Sequence, residues 1–121
     1  MTTRDTVVAY FKAVEAMDLP AVAALLHPEV ELIEHPNKLN PTGRRYVHAD
    51  VQAAGERGKA LMAKQIYAVK TLIVEGDRAA VATEWIGTLK DGREMRAQIC
   101  SVITVRDGTI VRQEQFDCFE P

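Results

Sequence analysis

The chain has 121 residues, the size of one domain and enough to bury a core. Its 47% hydrophobic and 26% charged residues are ordinary globular values. Fifteen Lys plus Arg against 17 Asp plus Glu leave a formal net charge of −2, which excludes the basic footprint of a nucleic-acid binder. No apolar run approaches the length of a membrane span, and Met1 to Asp5 leads straight into a helical pattern, so no signal peptide is expected.

The first helix is predicted from about Thr3 to Met17. Val7, Tyr10, Phe11, Val14 and Met17 recur at three- and four-residue spacing and form one apolar stripe. Thr2 and Asp5 are placed to cap its start. Asp18 caps a short second helix with Pro20 in its first turn; Val22, Leu25 and Leu26 are its buried side, and His27-Pro28 ends it. Val30 to His35 reads as a strand, with Val30, Leu32 and Glu34 on one side and Glu31, Ile33 and His35 on the other. Glu34 is assigned to solvent. Pro36 to Gly43 is a loop. A third helix is predicted from Val47 to Lys64, weakened by Gly55 and Gly58, which let its backbone lie close to a neighbour.

From Ile66 the period changes. Glu75-Gly76-Asp77, Asp91-Gly92 and Asp107-Gly108 are turn signals between runs rich in Val, Ile and Thr, the pattern of a four-stranded antiparallel meander. No linker, repeat or low-complexity tract interrupts the chain, so residues 1–121 read as a single domain. The predicted class is α+β: three N-terminal helices packed on a curved, cone-shaped antiparallel sheet. One helix layer cannot cover both faces of such a sheet, so its outer face is solvated or pairs with a second subunit. Phe116, Val102 and Cys118 among polar neighbours suit a homodimer there.

Strand pairing nominates a site. A three-residue loop at the last hairpin sets Val105 opposite Thr109, Ser101 opposite Gln113, Ile99 opposite Gln115 and Ala97 opposite Asp117, all on one side. A row of Gln113, Gln115 and Asp117 facing Ile99 and Ser101 suits a wet, partly polar cavity better than a closed core. The middle hairpin stays open: a two-residue turn places Glu84 and Ile86 inside, a three-residue turn Thr83 and Trp85. Cys118 then faces Arg96, and Cys100 and Cys118 stand roughly 13 Å apart, too far for a disulfide. A reduced, cytoplasmic protein is the default for such cysteine usage. His27, His35 and His48 lack metal-ligand spacing, so no metal or cofactor is expected.

The order of elements resembles the nuclear-transport-factor-2-like superfamily, which includes ketosteroid isomerases and SnoaL-type polyketide cyclases. The resemblance covers essentially the whole chain. It is carried by Tyr10-Phe-Lys-Ala-Val-Glu-Ala-Met-Asp18, by His27-Pro-Glu-Val-Glu-Leu-Ile-Glu-His-Pro36, by Pro41-Thr-Gly43, by Arg106-Asp-Gly-Thr-Ile-Val-Arg-Gln113, and by the ending Gln115-Phe-Asp-Cys-Phe-Glu-Pro121. It implies an NTF2-like α+β roll with a pocket between helices and sheet. In the isomerases the base precedes a proline at the end of the first strand, a position that falls on His35. Their oxyanion-binding tyrosine corresponds to Tyr10, and the partner acid falls on Ser101. One position is kept, one becomes another base and one loses its acid, which argues against steroid isomerisation. In the cyclases an acidic residue on the last strand is the acid/base, and Asp117 sits there. The Arg-x-Asp of limonene-type epoxide hydrolases is not matched, because Arg96-Ala-Gln98 lacks the carboxylate.

The expected function is proton transfer on a small, largely apolar carbonyl compound, of isomerase, cyclase or dehydratase type. His35, Asp117 and Tyr10 are its catalytic residues, and Ser101, Gln113, Gln115, Ile99 and Glu84 its ligand contacts. The alternatives are a non-catalytic binding module of the same fold and a dimeric interaction module.

Overall fold

A computed structural model describes all residues, 1–121. Helix α1 spans Thr3–Glu15, α2 Leu19–Leu25 and α3 Val51–Leu61; strands are β1 Leu26–Glu34, β2 Arg44–Tyr46, β3 Met62–Glu75, β4 Arg78–Leu89, β5 Glu94–Arg106 and β6 Thr109–Phe119. The capping of α1 is as the sequence dictates. The Thr2 hydroxyl accepts from the Asp5 amide, and the Asp5 carboxylate accepts from the Thr2 amide, each at 3.1 Å. Asp18 caps α2 by accepting from the Ala21 amide. The third helix is shorter than its periodicity suggests. A 3-10 turn at His48–Asp50 replaces its start, and Met62 to Lys64 leave it for strand β3 against β4. With Gly55 and Gly58 lowering helix propensity, strand pairing wins the last turn.

The sheet has six strands in the order β2-β1-β6-β5-β4-β3. It is mixed and unclosed: β1 runs parallel to β6, and every other neighbouring pair is antiparallel. Helix α1 lies across the inner face. Val7 and Phe11 meet Val81, Ile103 and Ile110 in the main core, while Trp85, Ala97 and Ile99 form a smaller cluster at the other end.

Two hairpins refine the expected register. Asp107 and Gly108 form a two-residue turn with φ of 52° and 76°, a left-handed pair suited to the strand twist. The three-residue loop is thereby corrected. Ser101 pairs with Gln115, Ile99 with Asp117 and Ala97 with Phe119. An extra residue, Val111, bulges from β6 between the Val105–Ile110 and Thr104–Arg112 pairs. The bulge restores the side-chain parity that a tight turn alone would reverse, so the predicted face survives while the pairing slides two residues. In the middle hairpin Trp85 pairs with Ala97 and Thr83 with Ile99, so Thr83 and Trp85 face inward. Glu84 faces outward, where its carboxylate accepts from the Gln98 amide at 3.1 Å; its expected place in the pocket is corrected. Cys118 now pairs with Gln98, so the two free cysteines lie diagonally, about 7–8 Å apart, on the outer face. No helix is long and apolar enough to cross a membrane.

Candidate functional site

Between the helices and the concave face lies an apolar chamber of about 270 Å³, walled by α1, α2, α3 and β3. Glycine makes part of this wall possible: a Cβ on Gly55 would collide with the Leu19 side chain, and both residues line the chamber. A second, polar chamber of about 160 Å³ lies under the 36–43 loop, with Glu34, Asn37, Gln115, Asp117, Trp85 and Phe119 in its walls. The two share Met62, Gln65 and Tyr67. A smaller recess links Tyr10 to Glu34 and Gln115.

Tyr10 comes from the apolar stripe of α1 and is 9% exposed. Burial pushes its pKa up to about 12, and burial raises Tyr67 too, assisted by Tyr10, Asp117 and Glu34 nearby. Both phenols therefore stay protonated. Neither hydroxyl has a protein partner. Because no sealed polar side-chain atom goes unpaired, both open onto the cavity as free donors. Gln65 ties the helix layer to the sheet: its amide donates to the Val14 carbonyl at 2.6 Å and its oxygen accepts from Trp85 Nε1 at 2.9 Å. The Trp85 ring rests against Gly87, where any Cβ would strike it.

Two carboxylates face the polar chamber. Glu34 Oε2 accepts from the Asn37 and Asn40 amides at 2.7 and 2.6 Å. Asp117 accepts from Gln115 Nε2 on both oxygens, at 2.8 and 3.0 Å. Burial raises the pKa of Asp117 against the lowering effect of Gln115, and the nearby Glu34 adds to the rise. A carboxyl whose pKa is higher folded than unfolded binds its proton more tightly in the folded state, so stability falls as pH rises through that range. Asp117→Asn is thus expected to be more stable than the parent at pH 7. The gap should close as pH falls below about 4, the unfolded carboxyl value. Thermal melts across that range check it; a gap independent of pH would contradict it.

The predicted residues divide. Tyr10, Asp117, Ile99, Gln113 and Gln115 border the adjoining recesses. Ser101 does not: it is 1% exposed and lies beneath Gln113, whose amide donates to it at 3.4 Å. His35 does not either. Its ring stands on the outer face, stacked on Phe116 with centroids 4.4 Å apart, and Nε2 lies 2.7 Å from Glu114 Oε2. The hydrogen bond from His35, aided by Arg112, holds the Glu114 carboxyl below its usual range. The cause is strand parity. In a parallel pair, Glu34 sits beside Gln115 and Ile33 beside Glu114, so Glu34 turns inward and its successor outward. Glu34, assigned to solvent from the sequence, is the inward carboxylate. Its sequence signal was the alternation it shares with Val30, which is 1% exposed. Tyr67 and Gln65 carry the same alternation in β3; nothing local announced Asn37 and Asn40. No three His, Cys, Asp or Glu side chains are grouped as metal ligands.

Three helices packed on a curved, unclosed mixed sheet in this order define an α+β roll. Residues 7–113 match the SnoaL-like domain, and the chain belongs to that family. No curated protein matches the sequence. Among solved structures, an NTF2-like protein from Burkholderia pseudomallei is 27% identical, with 99% of this chain and 92% of that chain covered at a TM-score of 0.80. AclR, a candidate hydroxylase from Streptomyces galilaeus, is 16% identical over 98% and 80% of the chains at 0.80. IdmH, a candidate polyketide cyclase from Streptomyces antibioticus, is 19% identical over 97% and 92% at 0.80. The last two likenesses speak for the fold alone.

Proposed function

We propose that this protein is a pocket enzyme that moves a proton on a small, largely apolar carbonyl compound. The observation that carries this reading is a set of three adjoining recesses, sharing wall residues, that two unpartnered tyrosines and two carboxylates line. Tyr10 and Tyr67 donate to the carbonyl oxygen. Asp117, made more basic by burial, takes a proton from the adjacent carbon. The C–H electron pair moves to the oxygen, and the enolate is held by the two phenols. In an isomerisation of an unsaturated ketone the proton returns to the far carbon of the conjugated dienolate; in a cyclisation the enolate carbon bonds to a second carbonyl carbon, whose π electrons go to its oxygen, and that alkoxide takes the proton back from Asp117. The candidate activities of IdmH and AclR are of this small-molecule kind.

The test is deuterium uptake from D2O at the α-carbon of cyclic and aryl ketones, followed by proton NMR. Exchange well above the buffer rate is expected for ketones that bind. Binding without exchange for any of them would leave the non-catalytic module.

A second proposal concerns the outer face. Phe116 and Ile73 are 46% and 62% exposed there, and we propose that this face pairs with a second copy. Phe116→Glu is expected to convert a dimer to a monomer in sedimentation at micromolar concentration. A monomeric parent protein would contradict it.

A further inference from the structure

Two carboxylates of this molecule, Glu34 and Asp117, border the inner recesses without an ion-pair partner. On the surface, Glu31, Glu84, Glu114 and Asp91 each have an Arg, Lys or His within 4 Å. Inside, Glu34 and Asp117 receive only neutral amides. No Lys, Arg or His lines the apolar chamber, the polar chamber or the recess between them. Both amides on Glu34 go to Oε2, which leaves Oε1 without a partner. Partly buried carboxylates without an ion-pair partner carry a desolvation cost; the nearest cation acting on Glu34 is Arg44 on neighbouring β2, which interacts with it without an ion-pair contact, and the rings of Tyr67, Trp85 and Phe119 share the chamber with both carboxylates. Carboxylates beside aromatic faces suit an organic cation, attracted by charge and by the ring quadrupole. Tyr10, a largely buried residue whose hydroxyl has no protein partner, lines the adjoining recesses and marks an acceptor at the other end of the same ligand.

We propose that the polar chamber receives a protonated amine, so that the ligand is an apolar carbonyl compound bearing a basic nitrogen. The carbonyl half rests on the function proposed above; the amine half does not. Phosphate esters and carboxylates are excluded by the same charge.

The test is calorimetry at pH 7 with three acetophenones that differ in one para substituent: dimethylaminomethyl, which is cationic, isobutyl, its neutral carbon isostere, and carboxymethyl, which is anionic. The cation is expected to bind about tenfold or more tighter than the isostere, and the anion weaker than either. The unaltered protein suffices for this series. In the E34Q/D117N double variant, with folding checked by thermal melting and by the emission of Trp85, the single tryptophan, the cation's advantage should vanish. An isostere that binds as tightly as the cation overturns the amine inference, as does an advantage that survives the double variant. If both ketones bind equally and Tyr10→Phe/Tyr67→Phe weakens both, the amine inference falls while the carbonyl reading stands. If benzyldimethylammonium, which has no carbonyl, binds as tightly as the cationic ketone, the carbonyl reading falls while the amine inference stands.

Discussion

Asp117→Asn is expected to lower the rate of α-carbon deuterium exchange about a hundredfold or more, the usual loss when a positioned general base is removed. His35→Ala is expected to leave that rate within about twofold, because changes outside the reacting constellation do not remove transition-state contacts. The contrast is informative because sequence position alone favours the histidine. Histidine is the usual general base at neutral pH, and His35 directly precedes Pro36. Yet its ring is committed to Glu114 and Phe116 on the far side of the sheet, with the backbone of β1 between it and the cavity. Asn at position 117 keeps the size of the group and a partner for Gln115, so a lost rate would report the missing base, not a collapsed wall. A rate that falls in the His35 variant and survives in the Asp117 variant would overturn the assignment.

Ile110→Ala is expected to cost about 2–5 kcal/mol of folding free energy, a transfer loss plus an unfilled cavity. Ile110 is fully buried at the start of β6, where it belongs to the core shared by α1, β4 and β5. It sits one residue from the Val111 bulge and pairs with Val105, so neighbouring backbone cannot easily close over the gap. A loss of that size is a large share of the total stability of a domain this small. The control is Ile73→Ala on the outer face of β3, expected to change the isolated chain by no more than about 0.5 kcal/mol. Urea titrations with an unchanged slope would assign the difference to the folded state. Equal losses at the two positions would show that the inner face of the sheet is not the main core.

Much of this was legible in the residues. Periodicity located α1, Thr2 and Asp18 located caps, and the Gly-containing turns located β3 to β6. The pocket-facing set Ile99, Gln113, Gln115 and Asp117 was legible despite a wrong register, since a shift of two residues keeps each side chain on its face. What could not be read was of two kinds. The first depends on one-residue parity. Glu34 and its neighbour exchange roles if the strand's buried side is taken from resemblance and not from Val30; Glu84 and Trp85 exchange roles with the length of the Asp91-Gly92 loop. The second depends on tertiary or irregular folding that no periodicity encodes. Tyr67 joins Tyr10 only after the sheet curls, and Asn37 and Asn40, a few residues on from Glu34, reach it only because the 36–43 loop folds back. The bulge at Val111 and the parallel pairing of β1 with β6 likewise leave no local trace.

The central claim is that ligand chemistry belongs to the inner cavity with Tyr10, Tyr67, Glu34 and Asp117, and not to the outer face with His35. A crystal structure with a bound aryl ketone tests it most directly. The account predicts the ketone oxygen within hydrogen-bond distance, about 3 Å, of the Tyr10 or Tyr67 hydroxyl and the α-carbon beside Asp117. A ketone seated against His35 and Phe116 outside the sheet, with the inner cavity left free, would contradict it.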